Sequence, residues 1–375
     1  MTDRRSTSRG RRSSVAAVAL LSAGILAACS PSGASSTSGG EQADVAGAKA
    51  FIAKWEAPQT TFGLPPMKAA PPRGKRIALI HNNTPNSRSN LQGEQAAAAA
   101  LGWTTIPFVF DPGTPTGLQD AYAQALAANP DGVVTAGQDL KDFAATARQF
   151  AAKQIPVVTS ATADPVAPPL IANVTDGNQT ALAARIIANY IVAQKGAKAN
   201  VVMFSIPSFS VLEIFEKSFA EEFHRRCPGC PFKAVPVQIT DIGTKLPAQV
   251  VSAVQADPGI TYAVMGFGAI STGVSAALRA AGSSEVKIAG EAPDLQNIGN
   301  LRTGAEDMWV GYPLFGMGWK SIDALARHFA GEPTEVDTTS AAPFRILTKA
   351  NAPQPAALPE VADYPDYFKK LWHVR

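Results

Sequence analysis

The chain has 375 residues and a formal charge of +3, long enough for two domains. Five Arg and one Asp precede residue 29, and the remainder carries 28 Lys and Arg against 29 Asp and Glu. With its positive surplus confined to one end, the body has no basic footprint for nucleic acid.

Residues 1–28 read as a secretory leader. Arg4, Arg5, Arg9, Arg11 and Arg12 form a basic start, and the apolar run 15–26 is too short to span a bilayer comfortably. It ends in Leu26-Ala27-Ala28-Cys29, which matches the bacterial lipobox, whose Cys receives a diacylglyceryl group and becomes the mature N-terminus. Residues 29–45 begin with a run of Ser, Gly, Ala and Thr that suits a flexible tether. The expectation is an exported protein held at the cell membrane by a lipid on Cys29, without spanning it.

Residues 46–75 supply a short amphipathic helix and a Pro-rich, extended lead-in. The body opens with an apolar strand over 76–81, a polar loop over 82–90, an Ala-rich helix over 91–101 and a strand over 105–110. Leu118, Ala121, Tyr122, Ala125 and Leu126 then recur at helical spacing, as do Leu140, Phe143, Ala144, Ala147 and Phe150. Strands over 132–136 and 155–159 flank the second of these helices. Beyond a connection at 173–178 come a helix over 179–194, a strand over 200–204, and a helix with Leu212, Phe215, Phe219 and Phe223 on one face. Strands follow over 232–239, 260–265, 286–290 and 308–312, then a helix over 315–329 and a strand over 344–347. The strands are near-continuously apolar, as a sheet covered on both faces requires. The tail, 351–375, carries Tyr364, Tyr367, Phe368 and Trp372 and is expected to fold back onto the body.

The chain also repeats itself. Residues 111–161 run Asp111-Pro-Gly-Thr, helix, Asn129-Pro-Asp-Gly, strand, helix, strand; residues 241–292 run Asp241-Ile-Gly-Thr, helix, Ala256-Asp-Pro-Gly, strand, helix, strand. Strand–helix–strand units make parallel sheets, so the expected fold is α/β with two similar Rossmann-like lobes.

Cys227 and Cys230 form Cys-Pro-Gly-Cys after a helix. A reactive redox dithiol sits at a helix N-terminus, where the dipole lowers its pKa, whereas this pair follows a C-terminus. A small structural disulfide is the reading, and the four His show no zinc-ligand spacing.

In open parallel sheets ligands bind beyond the carboxyl ends of strands. That rule nominates Asn83, Asn86, Arg88, Gln138 and Ser160 in the first lobe. In the second it nominates Phe209, Glu213, Asp241, Phe267 and Glu291, with Tyr312 near a crossing between the lobes. Asn82, Asp111, Asp139, Ser208 and Asp294 lie at similar places; Asp111 and Asp241 also suit turns or caps. No nucleophile elbow, phosphate loop, metalloprotease helix or dinucleotide fingerprint occurs, so neither catalysis nor a cofactor is expected.

Several stretches now resemble type I periplasmic binding proteins, within them the ribose- and galactose-type solute-binding lipoproteins of ABC importers. They are Asn129-Pro-Asp-Gly-Val-Val, Lys153-Gln-Ile-Pro-Val-Val-Thr, Thr261-Tyr-Ala-Val, Ala276-Ala-Leu-Arg-Ala-Ala-Gly and Val286-Lys-Ile-Ala-Gly. The resemblance covers residues 76–347. It implies two lobes joined by three crossing segments: 76–175 with 313–340 as lobe one, 176–312 with 341–350 as lobe two, and 351–375 as a tail. It implies a monomer that encloses a small molecule by hinge closure and meets a permease, with no nucleic-acid partner. It also marks departures. Where sugar binders place an Asn-Asp pair, this chain has Gly268-Ala269, and the later sugar-binding Asp is replaced within Gly290-Glu291-Ala292. The sugar-stacking aromatics fall near Asn86-Ser87-Arg88, and an Asp-Arg pair near Ser160-Ala161. The expected ligand is therefore not an ordinary monosaccharide but one suited to Phe209, Phe267 and Tyr312, with Arg88 available to an anionic group. A plain sugar importer, a ligand-sensing lipoprotein without transport and a secreted hydrolase using cleft carboxylates are the alternative readings.

Overall fold

Short β-branched runs bounded by Gly, Pro and Asn set the strands, and Ala-rich stripes at helical spacing set what covers them. The computed structural model describes residues 42–354 and 357–375, so the leader, Cys29 and most of the tether lie outside the described residues. Helix α1 (Val45–Ile52) is followed by an irregular lead-in to β1 (Arg76–Asn82). Then come α2 (Pro85–Ala100), β2 (Thr104–Phe110), α3 (Gly117–Ala127), β3 (Gly132–Ala136), α4 (Ala144–Ala152), β4 (Val157–Ser160) and β5 (Leu170–Asn173). These strands form one parallel sheet in the order β2-β1-β3-β4-β5, with Ile77 opposite both Thr105 and Gly132.

The second sheet is built from β6 (Val201–Ser205), β7 (Phe232–Pro236), β8 (Tyr262–Met265), β9 (Lys287–Glu291), β10 (Met308–Gly311) and β11 (Arg345–Thr348). Its order is β11-β10-β9-β8-β6-β7, parallel except for β11, which runs antiparallel beside β10. The helices between are α5 (Gly177–Lys195), α6 (Ser210–Arg226), α7 (Leu246–Ala256), α8 (Val274–Ala280) and α9 (Leu295–Thr303). Helices α10 (Leu314–Phe329), α11 (Glu335–Thr339) and α12 (Tyr364–Leu371) complete the chain. The two repeated stretches become β2-α3-β3-α4-β4 and β7-α7-β8-α8-β9. Phe204, Phe215, Phe219 and Phe223 are fully buried under α6. Each such side chain contributes about 1.5–3 kcal/mol of burial, which fixes α6 on its sheet.

The structure corrects the sequence reading in three places. The expected polar loop 82–90 becomes helix from Pro85, because Thr84 acts as N-cap and proline's fixed φ suits the first helical position. Strand β5 was not expected; it follows a Pro-rich run and has only four residues. The strand expected over 232–239 stops at Pro236, and a tight turn, Ile239–Asp241, follows. Cys227 and Cys230 are joined, with Cα atoms 5.4 Å apart.

The chain passes between the lobes where β5 leads to α5 (174–176), β10 to α10 (312–313) and α11 to β11 (340–344). These crossings are tied together. Tyr312 and Thr175 share a hydroxyl–hydroxyl hydrogen bond. The buried Lys320 ammonium, held below its ordinary pKa by burial, donates to the carbonyls of Ser340 (3.0 Å) and Val174 (3.4 Å). Gln179 donates to Val174 and Thr338 carbonyls and accepts from Ala342 N at 2.8 Å. Two further passes lie at the ends. Helix α1 packs on α5 and α6 in lobe two, while the lead-in is fastened to lobe one: Trp103 donates to Pro72 O and Arg327 to Pro65 O, both at 2.7 Å. The C-terminal tail returns from β11 to α10, where Trp372 stacks on Trp319 with ring centroids 5.3 Å apart.

Candidate functional site

Both sheets aim the carboxyl ends of their strands at one cavity of about 140 Å³. Lobe one supplies Asn82 from the end of β1, Ala136 and Gly137 after β3, Ser160 and Ala161 after β4, and Thr175 beyond β5. Lobe two supplies Phe209 before α6, Ile239 after β7, Gly266 and Phe267 after β8, Glu291 and Ala292 at β9, and Tyr312 after β10. Val211, Leu212 and Leu314 complete an apolar wall.

The first turn of α2 is built to face this space. Asn82 Oδ1 accepts from Thr84 N at 3.0 Å and Thr84 Oγ1 at 2.6 Å, which fixes the turn before the helix. Asn86 and Asn90, one helical turn apart, and Ser87 then fall on the cavity side. Ser87 Oγ lies 3.0 Å from His81 Nδ1, and His81 Nε2 lies 2.7 Å from Glu94 Oε2. That buried chain runs from the cavity wall into the lobe and holds the Ser87 hydroxyl in one orientation.

Six nominated residues line the cavity: Asn86, Ser160, Phe209, Phe267, Glu291 and Tyr312. Five do not. Arg88 is two residues from Asn86 and from Asn90, which turns it to the opposite, exposed face of α2. Asn83 follows the last residue of β1 and does not reach the wall, whereas Asn82 does. Gln138 is buried elsewhere, because the chain turns at Gly137, whose φ of +70° few other residues adopt. Glu213 is exposed on the outer face of α6, while its neighbour Leu212 faces in. Asp241 is drawn to Lys245 (3.7 Å) and Gln249 (3.5 Å), and Ile239 takes the wall position. Ser87, Asn90, Thr84, Thr175 and Thr180 went unnominated. A helix recognised from Thr84-Pro85 would have identified the first two.

The lobes touch across the cleft. Asn86 Nδ2 donates to Ala292 O at 2.6 Å. The buried Asp139 accepts from Ser210 Oγ at 2.5 Å and Ser210 N at 3.3 Å, so a lobe-one carboxylate caps the start of α6 in lobe two. Ser210 Oγ in turn accepts from Ala163 N at 3.2 Å. Glu291 is the single carboxylate in the wall, and burial pushes it up to about 8. Burial also raises the Tyr312 phenol, which stays neutral. Among the described residues no group of His, Cys, Asp and Glu has the makings of a metal site.

The family profile described as periplasmic binding protein domain matches residues 79–333. No functionally curated protein is significantly similar in sequence. Among solved structures, a solute-binding protein of Thermotoga lettingae in complex with 5-methylthioribose superposes with a TM-score of 0.67 at 17% identity, covering 83% of this chain and 99% of its own. An Agrobacterium vitis ABC transporter solute-binding protein bound to α-D-tagatopyranose gives 0.66 at 20% identity, over 75% and 97%. A carbohydrate transporter protein of Acidothermus cellulolyticus in complex with myo-inositol gives 0.61 at 18%, over 80% and 99%.

Proposed function

The chain belongs to the periplasmic binding protein domain family, and from that premise we propose that it captures a small organic solute between its lobes and delivers it to an ABC-type importer. The observation that carries this reading is the cavity at the strand ends of both sheets, closed over by contacts between the lobes. Such an arrangement binds by hinge closure. The protein works outside the cytoplasm, anchored through Cys29; the leader and lipobox support this. Replacement of Cys29 by Ser should free the protein from membranes or leave an uncleaved precursor, and a variant still acylated and cleaved before residue 29 would refute the anchor.

The solute is not an ordinary monosaccharide. Structurally similar proteins carry sugars and polyols, but much of this cavity is walled by Phe209, Val211, Leu212, Ile239, Phe267 and Leu314. A sugar oxygen left facing such a wall loses its hydrogen bonds to water without replacement. A thermal-shift screen over sugars, polyols, amines, aromatic acids and small lipids identifies ligands, because a bound solute stabilises by mass action. Calorimetry should then show Phe267→Ala and Tyr312→Ala weakening binding more than Asp241→Ala. Tight binding of ribose, galactose or glucose, with Phe267 and Tyr312 dispensable, would overturn this reading.

A further inference from the structure

We propose, resting on the solute-binding reading above, that the solute is a compact organic cation, a protonated amine on a ring-sized apolar body, with its nitrogen seated against the Glu291 carboxylate. The argument starts from the hydrogen-bonding inventory of the cavity. Glu291 ends β9 in the wall, and among the described residues no donor or cation reaches its carboxylate; burial alone sets its titration. The wall holds no Lys, Arg or His. Arg88, the one basic residue the sequence offered to the site, lies on the outer face of α2.

A further acceptor points the same way: Asn86 Oδ1 is buried without a partner. The orientation of Asn86 is fixed, since its Nδ2 donates to Ala292 O and the reverse amide would set two oxygens together. An orphaned acceptor costs about 1–3 kcal/mol until a donor arrives. An ammonium brings three donors and no acceptor, whereas each hydroxyl of a polyol adds acceptor lone pairs that the Phe and Leu wall cannot satisfy. An anion would find no cation in the wall and would lie beside the Glu291 carboxylate. Phe209 and Phe267 border the same space, and aromatic rings attract cations at their faces. The volume suits one ring, since an apolar protein cavity of roughly 150 Å³ takes up benzene.

A proton signature follows. With Glu291 pushed up to about 8, the empty cavity holds the neutral acid over most of the neutral range. Seating an ammonium requires the carboxylate, so one proton leaves on binding and affinity rises with pH between about 6 and 8. Tyr312 is the other titratable group facing the cavity, and it remains a neutral phenol throughout.

The test is calorimetry on the full-length protein with benzylamine, benzyl alcohol, benzoate and myo-inositol, repeated in buffers of different ionisation enthalpy. Benzylamine should bind tenfold or more tightly than benzyl alcohol, with benzoate inert. Its binding should release close to one proton at pH 7, a readout that needs no variant. The isosteric Glu291→Gln, checked for folding by its melting temperature, should cut benzylamine affinity at least tenfold and abolish proton release. Benzyl alcohol or myo-inositol bound more tightly than benzylamine, or benzylamine affinity unchanged in Glu291→Gln, overturns the cation and leaves solute capture standing. So does inertness of all four probes when the broad screen yields a neutral or anionic solute. A silent screen overturns solute capture as well.

Discussion

Replacing Asp139 by Ala should open the protein. In the closed form this carboxylate is about 5% exposed and takes two hydrogen bonds from Ser210, at 2.5 and 3.3 Å, across the cleft. Hydrogen bonds to charged groups contribute about 1.5–3 kcal/mol, but opening rehydrates both partners and the second bond is long. A net of about 2 kcal/mol in favour of closure is a fair figure, which is roughly a 30-fold change in the closed-to-open ratio. Apparent solute affinity should fall by up to the same factor, because binding draws on the closed population. The assay is pulsed dipolar spectroscopy with spin labels at Gln124→Cys on α3 and Gln255→Cys on α7, both exposed. Cys29→Ser in the background leaves only the introduced thiols reactive, since Cys227 and Cys230 are paired. Asp139→Ala should move population from the short distance to a longer one. Ser210→Ala should do so less, because its backbone donor survives, and the double variant should add little to Asp139→Ala. An unchanged distance distribution in Asp139→Ala, or fully additive effects of the two changes, would refute the reasoning.

Three more outcomes follow from the packing. Trp372→Ala removes a fully buried indole stacked on Trp319 and takes away the donor to Asp323 Oδ1; a loss of about 3–5 kcal/mol is expected in denaturant melts, and a change below about 1 kcal/mol would show that the tail is dispensable. Glu360 accepts from Phe315 N and Gly316 N, yet burial pushes it up to about 8. A raised carboxyl pKa gives stability that is full below the ordinary 4.5 and drains away as pH climbs to about 8. Glu360→Gln keeps an acceptor and loses the charge, so the fall in melting temperature between about pH 5 and 8 should flatten; an unaltered slope sinks this account. The Cys227–Cys230 bond closes a very short loop, for which chain entropy allows about 2 kcal/mol. Paired Ser substitutions should therefore cost no more than that in thermal melts, and two free thiols in unreduced, denatured protein would disprove the bond.

The strands were legible because both faces of each sheet are covered, so Val133, Val134, Val201 and Val202 stand in apolar runs that alternation does not interrupt. Strand β5 was not, since its four residues sit behind a proline-rich run that reads as coil. The start of α2 was hidden by its composition. Asn, Ser and Thr suggest a loop, and only the Thr84-Pro85 pair betrays a cap and a first helical residue. Site positions at strand ends follow from topology alone, which is why Ser160, Phe267 and Glu291 could be named in advance. Which neighbour faces inward is decided by turn geometry, and so Gln138 was lost at Gly137 and Asp241 at the Ile239–Asp241 turn. The charge of the cavity could not be read from one dimension. Arg88 and Glu291 were both in view, and the helical phase of α2 put one outside while the end of β9 put the other within.

The five passes between the lobes divide the chain unequally. Helix α1 is seated on lobe two, and from Leu64 onward the lead-in is fastened to lobe one, where Leu64 N donates to the Tyr367 hydroxyl at 2.9 Å. Phe62 is already buried against Phe368, ring centroids 5.0 Å apart, so on this pass the short stretch 56–61 is left to yield when the lobes part. With the anchor proposed at Cys29, the tether therefore enters the body at lobe two, and lobe one is the part that swings relative to the point of attachment. Relative to lobe two, a reporter fused after α12, which rides on lobe one through Trp372 and Asp323, would move with every opening, whereas one carried on α1 would keep its place.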